Sequence, residues 1–147
     1  MGRGGANWVA DPLDVERLVD FLYERRSRVG QGGNFDDTVM NEAAVHMASF
    51  GPPKKGDVKT AASCAAKWIV LRKLHDYILA ALQKTYPGIS GWTYTHQDGF
   101  SVTEETMPAW RNFANAHRHF KPFANEGWPH FDKVHEILPT RAKGKYV

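Results

Sequence analysis

Cysteine is almost absent: Cys64 is the single one in 147 residues. That excludes an intramolecular disulfide framework and a thiolate-rich zinc site. Long apolar runs are missing too. None approaches the ~18 residues that mark a membrane-spanning helix, so no transmembrane segment is expected. The opening MGRGGANW has no hydrophobic stretch of the secretory kind, and Ala6 stands where a myristoylation signal places Ser or Thr. An intracellular globular protein is the expectation. Catalytic signatures are missing as well. There is no phosphate-binding GxxxxGKS/T loop, no GxSxG elbow, no HExxH and no GxGxxG.

Aromatics, by contrast, are plentiful. Five Trp, eight Phe and five Tyr make 12% of the chain aromatic, and 42% is hydrophobic, which rules out general disorder. The length fits one domain. The net charge of +3 is unevenly placed: residues 1–56 sum to −1, 57–90 to +3 and 91–147 to +1. The tail 140–147 holds Arg141, Lys143 and Lys145 without an acid. A basic central stretch and a basic tail are what an anionic partner would attract. They would equally suit a solvated helix face and a solubilising tail.

Local signals predict mostly helices. Asp11-Pro12 opens the first, with Asp11 as cap and Pro12 at the first helical position. Val15, Leu18, Val19 and Leu22 form its stripe, and Arg25, Arg26 and Arg28 suit its C-terminal dipole. Gly30, Gly32 and Gly33 break it. Asp36 and Asp37 start a second helix with Val39, Ala43, Met47 and Phe50 inward, stopped by Gly51-Pro52-Pro53. The third is the longest, from about 57–60 to Thr85. One stripe is Cys64, Trp68, Leu71, His75, Ile78 and Leu82; another is Val70, Leu74, Tyr77 and Ala81. The stripes overlap only in the C-terminal half. The N-terminal half therefore has a free side, at Lys59, Ser63, Ala66 and Lys67, with Ala62 flanking and Lys73 further along. Then Trp92, Tyr94 and His96 alternate with polar residues before Asp98-Gly99, and Phe100 and Val102 suit a return strand. Such a ribbon must lean on helices. Thr103, followed by Glu104 and Glu105, caps a fourth helix with Met107, Trp110, Phe113, Ala114 and His117. A loop from His119 to Pro129 leads to a short last helix with Phe131, Val134 and Leu138.

Individual reactive residues point to little chemistry. Cys64 lies on a core stripe, where free cysteine commonly resides. Asp36/Asp37 and Glu104/Glu105 look like helix-start charges. His117, His119, His130 and His135 fall within nineteen residues, but no cysteine accompanies them and the acids are not spaced as ligands. The expectation is no metal, no cofactor, no small-molecule substrate and no enzymatic activity.

The segment Thr60 to Lys73, TAASCAAKWIVLRK, resembles the recognition helix of Myb repeats. There Thr precedes a Cys-containing pair, a basic-Trp pair and a Leu. Trp8 and the two preceding helices occupy the places such a repeat requires. Beyond it, Ser90-Gly91-Trp92, Asp98-Gly99, Trp110, Ala116-His117-Arg118, Lys121-Pro122-Phe123 and Trp128-Pro129-His130-Phe131-Asp132 follow in order. Together these resemble the Myb/SANT-like domain of fungal and plant transposon-related proteins, from Trp8 to Leu138. Departures are Val39, Met40 and Met47 in place of an aromatic core, and an Ala124–Gly127 insertion.

The resemblance implies a mainly α fold. A three-helix helix-turn-helix bundle with a long third helix is extended by a small β-hairpin and two C-terminal helices. Boundaries follow: a flexible N-terminus over 1–10, one domain over 8–139 (bundle 8–88, hairpin and last helices 89–139) and a basic tail over 140–147. It also implies a nuclear protein binding double-stranded DNA, in transcription regulation or a transposon-derived role. The third helix would enter the major groove by its N-terminal half. Lys59 and Lys67 would lie at the groove, Ser63 would reach a base or phosphate, and Lys54, Lys55 and Lys73 would hold the backbone with Arg141, Lys143 and Lys145. Ala62 and Ala66 allow close approach and thymine-methyl contact but specify little. The alternative is a SANT-type protein-interaction module without sequence-specific DNA binding, its small Ala62/Ala66 surface receiving a partner helix.

Overall fold

The computed structural model describes residues 5–139; Arg141, Lys143 and Lys145 lie outside them. The chain is mainly helical with one small antiparallel hairpin. It divides into two compact units. One runs to Arg72 and resumes at Asp132; the other is Lys73–Phe131.

The first unit contains α1 (Asp14–Glu24), α2 (Asp37–Ala48) and the beginning of α3 (Ala61–Leu82). α1 starts two residues later than Asp11-Pro12 predicts, with Leu13 at the cap position. Asp11 is engaged otherwise. Its Oδ1 accepts from the Leu13 amide, and its Oδ2 accepts from Arg17 at 2.9 Å. Leu18, Val19 and Leu22 are buried as the spacing requires, Val15 is half-buried, and Phe21, outside that stripe, is buried as well. Arg25 and Arg26 donate to the carbonyls of Phe21 and Tyr23, relieving unpaired acceptors at the helix end. Asp36 caps α2 by accepting from the Val39 amide at 3.0 Å. Val39, Met40, Ala43 and Met47 face inward. Phe50 does not; it lies beyond the end of α2, 48% exposed, with the Arg17 guanidinium 4.2 Å from its ring centre. Gly5 donates to the Asp57 side chain and accepts from the Asp57 amide, while Ala6 bridges to Gly56. The segment after Asp132 returns to this unit, where Lys133 pairs with Asp20 and Tyr23 donates to Glu136.

The second unit is built on aromatic rings. β1 (Tyr94–Thr95) pairs with β2 (Gly99–Phe100), Tyr94 opposite Phe100. Trp92 packs edge-on against Trp110 of α4 (Met107–Ala116), and Phe100 lies between Trp110 and Phe120. The hairpin leans on this aromatic layer because two strands of two residues cannot stand alone. Gly99 has φ +69°, and a Cβ there would come within 2.3 Å of the Glu126 carbonyl oxygen, so no other residue fits. Asn125, also at positive φ, holds Val102 on both its N–H and C=O. Thr103 does not cap α4 directly. It forms a reciprocal turn with Thr106, which occupies the cap position. The start of the expected His119–Pro129 loop lies instead in a 3-10 helix, Arg118–Phe123. α5 (Phe131–Ile137) follows.

His119 gives this unit a pH dependence. Its ring stacks on Tyr77, centroids 3.7 Å apart, and its Nε2 is buried with no hydrogen-bond partner among the described residues. Burial lowers its pKa, and neighbouring His117 lowers it further. A histidine depressed in the folded state binds fewer protons than in the unfolded chain, so its contribution is complete above the unfolded value of about 6.5 and is lost as pH falls through and below it. We expect chemical-denaturation stability to drop as pH falls below about 6.5, and His119→Phe to flatten that drop. An unchanged slope in the variant refutes this assignment.

No helix among the described residues is long and apolar enough to cross a membrane.

Candidate nucleic-acid interface

The N-terminal half of α3 is fixed by its cap and by its core side. The Thr60 hydroxyl accepts from the Ser63 amide at 3.1 Å, and the Ser63 hydroxyl donates to the Thr60 carbonyl at 2.9 Å. This reciprocal cap satisfies groups at the helix start. Cys64 is fully buried, and desolvation pushes its thiol up to about 11 against the pull of Lys59. It is a packing residue, because a nucleophilic or ligating cysteine needs an accessible thiolate. Trp68 is 1% exposed, meets Phe35 edge-on, and donates its indole N–H to the Gly33 carbonyl at 2.8 Å. Leu71 completes the stripe. One turn further on, Arg72 folds back to donate to Asn34 Oδ1 and the Gly32 carbonyl. The glycine loop between α1 and α2 is thus fastened to α3 by two side chains, and the rotation of α3 in its unit follows from that.

With Cys64, Trp68 and Leu71 inward, the outward residues are determined. Ala62 and Ala66 are exposed, and Lys54 and Lys55 are exposed in the preceding connector. Lys73 is exposed on the same helix, where the second unit begins. Lys67 is half-buried, and desolvation lowers its pKa. Ser63 is partly covered, and its hydroxyl hydrogen is already directed to Thr60.

Lys59 departs from its expected place. It is 6% exposed, with its ammonium 2.9 Å from Asp14 Oδ2 and 5.1 Å from the centre of the Trp8 ring. It precedes α3, so helical periodicity extrapolated back from Ala61 assigns it to the wrong side. Asp14 also accepts from Arg17 at 3.1 Å, and Arg17 in turn reaches Asp11. Charge summed by segment does not reveal this network, since Asp14 belongs to α1, Asp11 to the turn before it and the lysine to α3's approach. Its one sequence signal is the Asp11, Asp14, Arg17 spacing, which places carboxylate and guanidinium at i, i+3.

A second departure concerns the outward face beyond Ala66. Ile69 is 46% and Val70 52% exposed. The periodicity puts Val70 at the start of a covered second stripe; cover starts only at Leu74 and Tyr77, which are half-buried. Ala62, Ala66, Ile69 and Val70 therefore make an apolar strip, with Lys73 on it a turn later. No acidic residue occurs between Asp57 and Asp76.

Among the described residues no group of three or more His, Cys, Asp or Glu is arranged to hold a metal ion. His117 instead meets the Tyr86 hydroxyl at 2.8 Å, and His119 stacks on Tyr77. Compared with family models, curated proteins and solved structures, the chain matches none of them.

Proposed function

We propose that this chain is a DNA-binding Myb/SANT-like domain, nuclear, working in transcription regulation or in a transposon-derived role. In this reading α1, α2 and the start of α3 are the helix-turn-helix bundle, and α3 offers its N-terminal half to the major groove. The observation that carries it is the division of α3 into a core side of Cys64, Trp68 and Leu71 and an uncovered side that carries cations and, between Asp57 and Asp76, no acid. Exposed Lys54, Lys55 and Lys73, with half-buried Lys67, are suited to phosphates. Ala62 and Ala66 let the helix approach closely. Buried Lys59 drops out of the contacting set, and Ser63 keeps only acceptor capacity for a base. Few groups remain that can form bidentate bonds to bases, so affinity is dominated by the backbone and is weakly sequence-selective.

A salt titration tests this. Log affinity for duplex DNA is expected to fall linearly with log salt, and each of Lys54→Gln, Lys55→Gln and Lys67→Gln is expected to reduce the slope by about one. No binding at low salt, or slopes unchanged by all three variants, refutes the groove reading.

The apolar strip Ala62, Ala66, Ile69 and Val70 favours a second reading, a protein-interaction module that packs a partner helix there. Unbiased DNA selection separates the two. Enrichment of no sequence, with no binding at low salt, selects the protein module.

A further inference from the structure

The first unit holds a cleft of about 310 Å³ between the start of α1, the end of α2 and the 51–58 connector. Its two sides differ in chemistry. The apolar wall includes Met47, Phe50, Pro52, Pro53 and Val58. Phe50 and Val58 leave 48% and 58% of their surface exposed. The other side is the Asp11, Asp14, Arg17 and Lys59 network, with Lys54 beside it.

Donors and acceptors on the charged side do not balance. Asp11 Oδ1 accepts from the Leu13 amide and its Oδ2 from Arg17. Asp14 Oδ1 accepts from Arg17, and its Oδ2 lies 2.9 Å from the Lys59 ammonium. All four carboxylate oxygens are engaged. Arg17 uses only Nη1 for these contacts, leaving the other edge of its guanidinium. The Lys59 ammonium has three donors and faces one carboxylate oxygen. Counting Lys54, three cations stand against two carboxylates. Both Lys59 and Asp14 are more than nine-tenths buried, so they are positioned before any ligand arrives.

We propose that this cleft is a docking site for an acidic peptide segment that carries a carboxylate beside an aliphatic or aromatic side chain. The carboxylate takes the spare donors of Arg17, Lys59 and Lys54 in charge-assisted bonds. The neighbouring side chain covers Phe50 and Val58 and fills the space against Pro52 and Pro53. A nucleic-acid backbone suits the cleft less well, since a phosphodiester brings nothing apolar to that wall and its flanking phosphates meet Asp11 and Asp14. Lys54 is shared with the DNA reading, which otherwise uses the outward face of α3; Arg17, Phe50, Val58 and Lys59 belong to the cleft alone.

Amide chemical shifts of the full chain, titrated with short peptides, test it. The probe is acetyl-Leu-Glu-Phe-Glu-amide, with acetyl-Leu-Gln-Phe-Gln-amide and a random-sequence duplex as comparisons. The Glu peptide is expected to shift the amides of Arg17, Phe50, Lys54 and Val58 with millimolar or better affinity, and the Gln peptide to bind about tenfold more weakly. Lys54→Gln and Val58→Ser alter exposed side chains and are expected to keep the helical circular dichroism while weakening the Glu peptide roughly threefold or more. Four outcomes overturn the proposal. They are no shifts with the Glu peptide, equal binding of the Gln peptide, affinity unchanged in both variants, or displacement of the Glu peptide from the Phe50 and Val58 amides by the duplex.

Discussion

Asp14→Asn is expected to destabilise the first unit by about 3–5 kcal/mol in chemical denaturation, a loss large enough to threaten folding. The carboxylate of Asp14 lies between two cations, 2.9 Å from Lys59 Nζ and 3.1 Å from Arg17 Nη1. An amide of the same shape keeps the packing but leaves the Lys59 ammonium buried against Trp8 without a counter-charge. The cost is that of an uncompensated buried charge, which greatly exceeds the value of an exposed ion pair. Lys59→Met should cost less, because Asp14 retains Arg17 and methionine fills the same volume. In the double variant the stranded ammonium is gone. The cycle should therefore show a coupling of about 1–3 kcal/mol, with the double variant more stable than the sum of the single losses predicts. Burial also limits screening, so the coupling should change little between low and high salt. Additive losses would mean that Lys59 and Asp14 do not act as a pair.

Trp68→Ala should cost a comparable ~3–5 kcal/mol, for a different reason. The indole is 1% exposed and contacts Phe35, so truncation removes apolar contacts and leaves a cavity. It also removes the donor to the Gly33 carbonyl, at 2.8 Å. Trp68→Phe separates the two effects. It retains most of the ring volume but leaves that buried carbonyl unpaired, at about 1–3 kcal/mol. The order alanine worse than phenylalanine worse than wild type is expected from thermal melts followed by circular dichroism. If phenylalanine is as damaging as alanine, the hydrogen bond to the glycine loop outweighs the volume. Neither variant can be used to measure DNA contact, since both act on the fold that presents α3.

These two residues also show what could be read along the chain. Trp68 belongs to a stripe with Cys64 and Leu71 that recurs at helical spacing, and all three are buried. The Asp36 cap and the Gly51-Pro52-Pro53 stop are likewise local signals, and the structure contains them; the hairpin also forms, but its turn is at 96–98 and Gly99, expected in the turn, already pairs with Thr95 in β2. Errors cluster where local signals overlap or end. Asp11-Pro12 carries a legible helix start, yet Asp11 serves Leu13 and Arg17 before the helix begins. Phe50 continues the α2 spacing past the last helical turn, where the spacing no longer applies.

The candidate interface was half legible for the same reason. Ala62 and Ala66 are outward because they lie opposite Cys64 and Trp68 on one regular helix, and a periodicity fixes both faces at once. Lys59 is one residue short of Thr60's cap, so its side is decided by how the connector docks and not by any period. Its partner Asp14 is forty-five positions earlier in the chain. Val70 fits an apolar stripe, but whether a stripe is covered depends on which other segment reaches it.

The sequence by itself determined the five α-helices, the Asp36 cap, the stop after α2, the presence of the hairpin and the inward Cys64, Trp68 and Leu71 of α3, since each rests on interactions between residues a few positions apart. Tertiary structure alone decided that Lys59 is paired and hidden, that Ile69 and Val70 are bare, and that Arg17, Lys59 and Phe50 line one cleft. Charge pairing and cover arise between segments remote in sequence, and no local pattern encodes which of them meet.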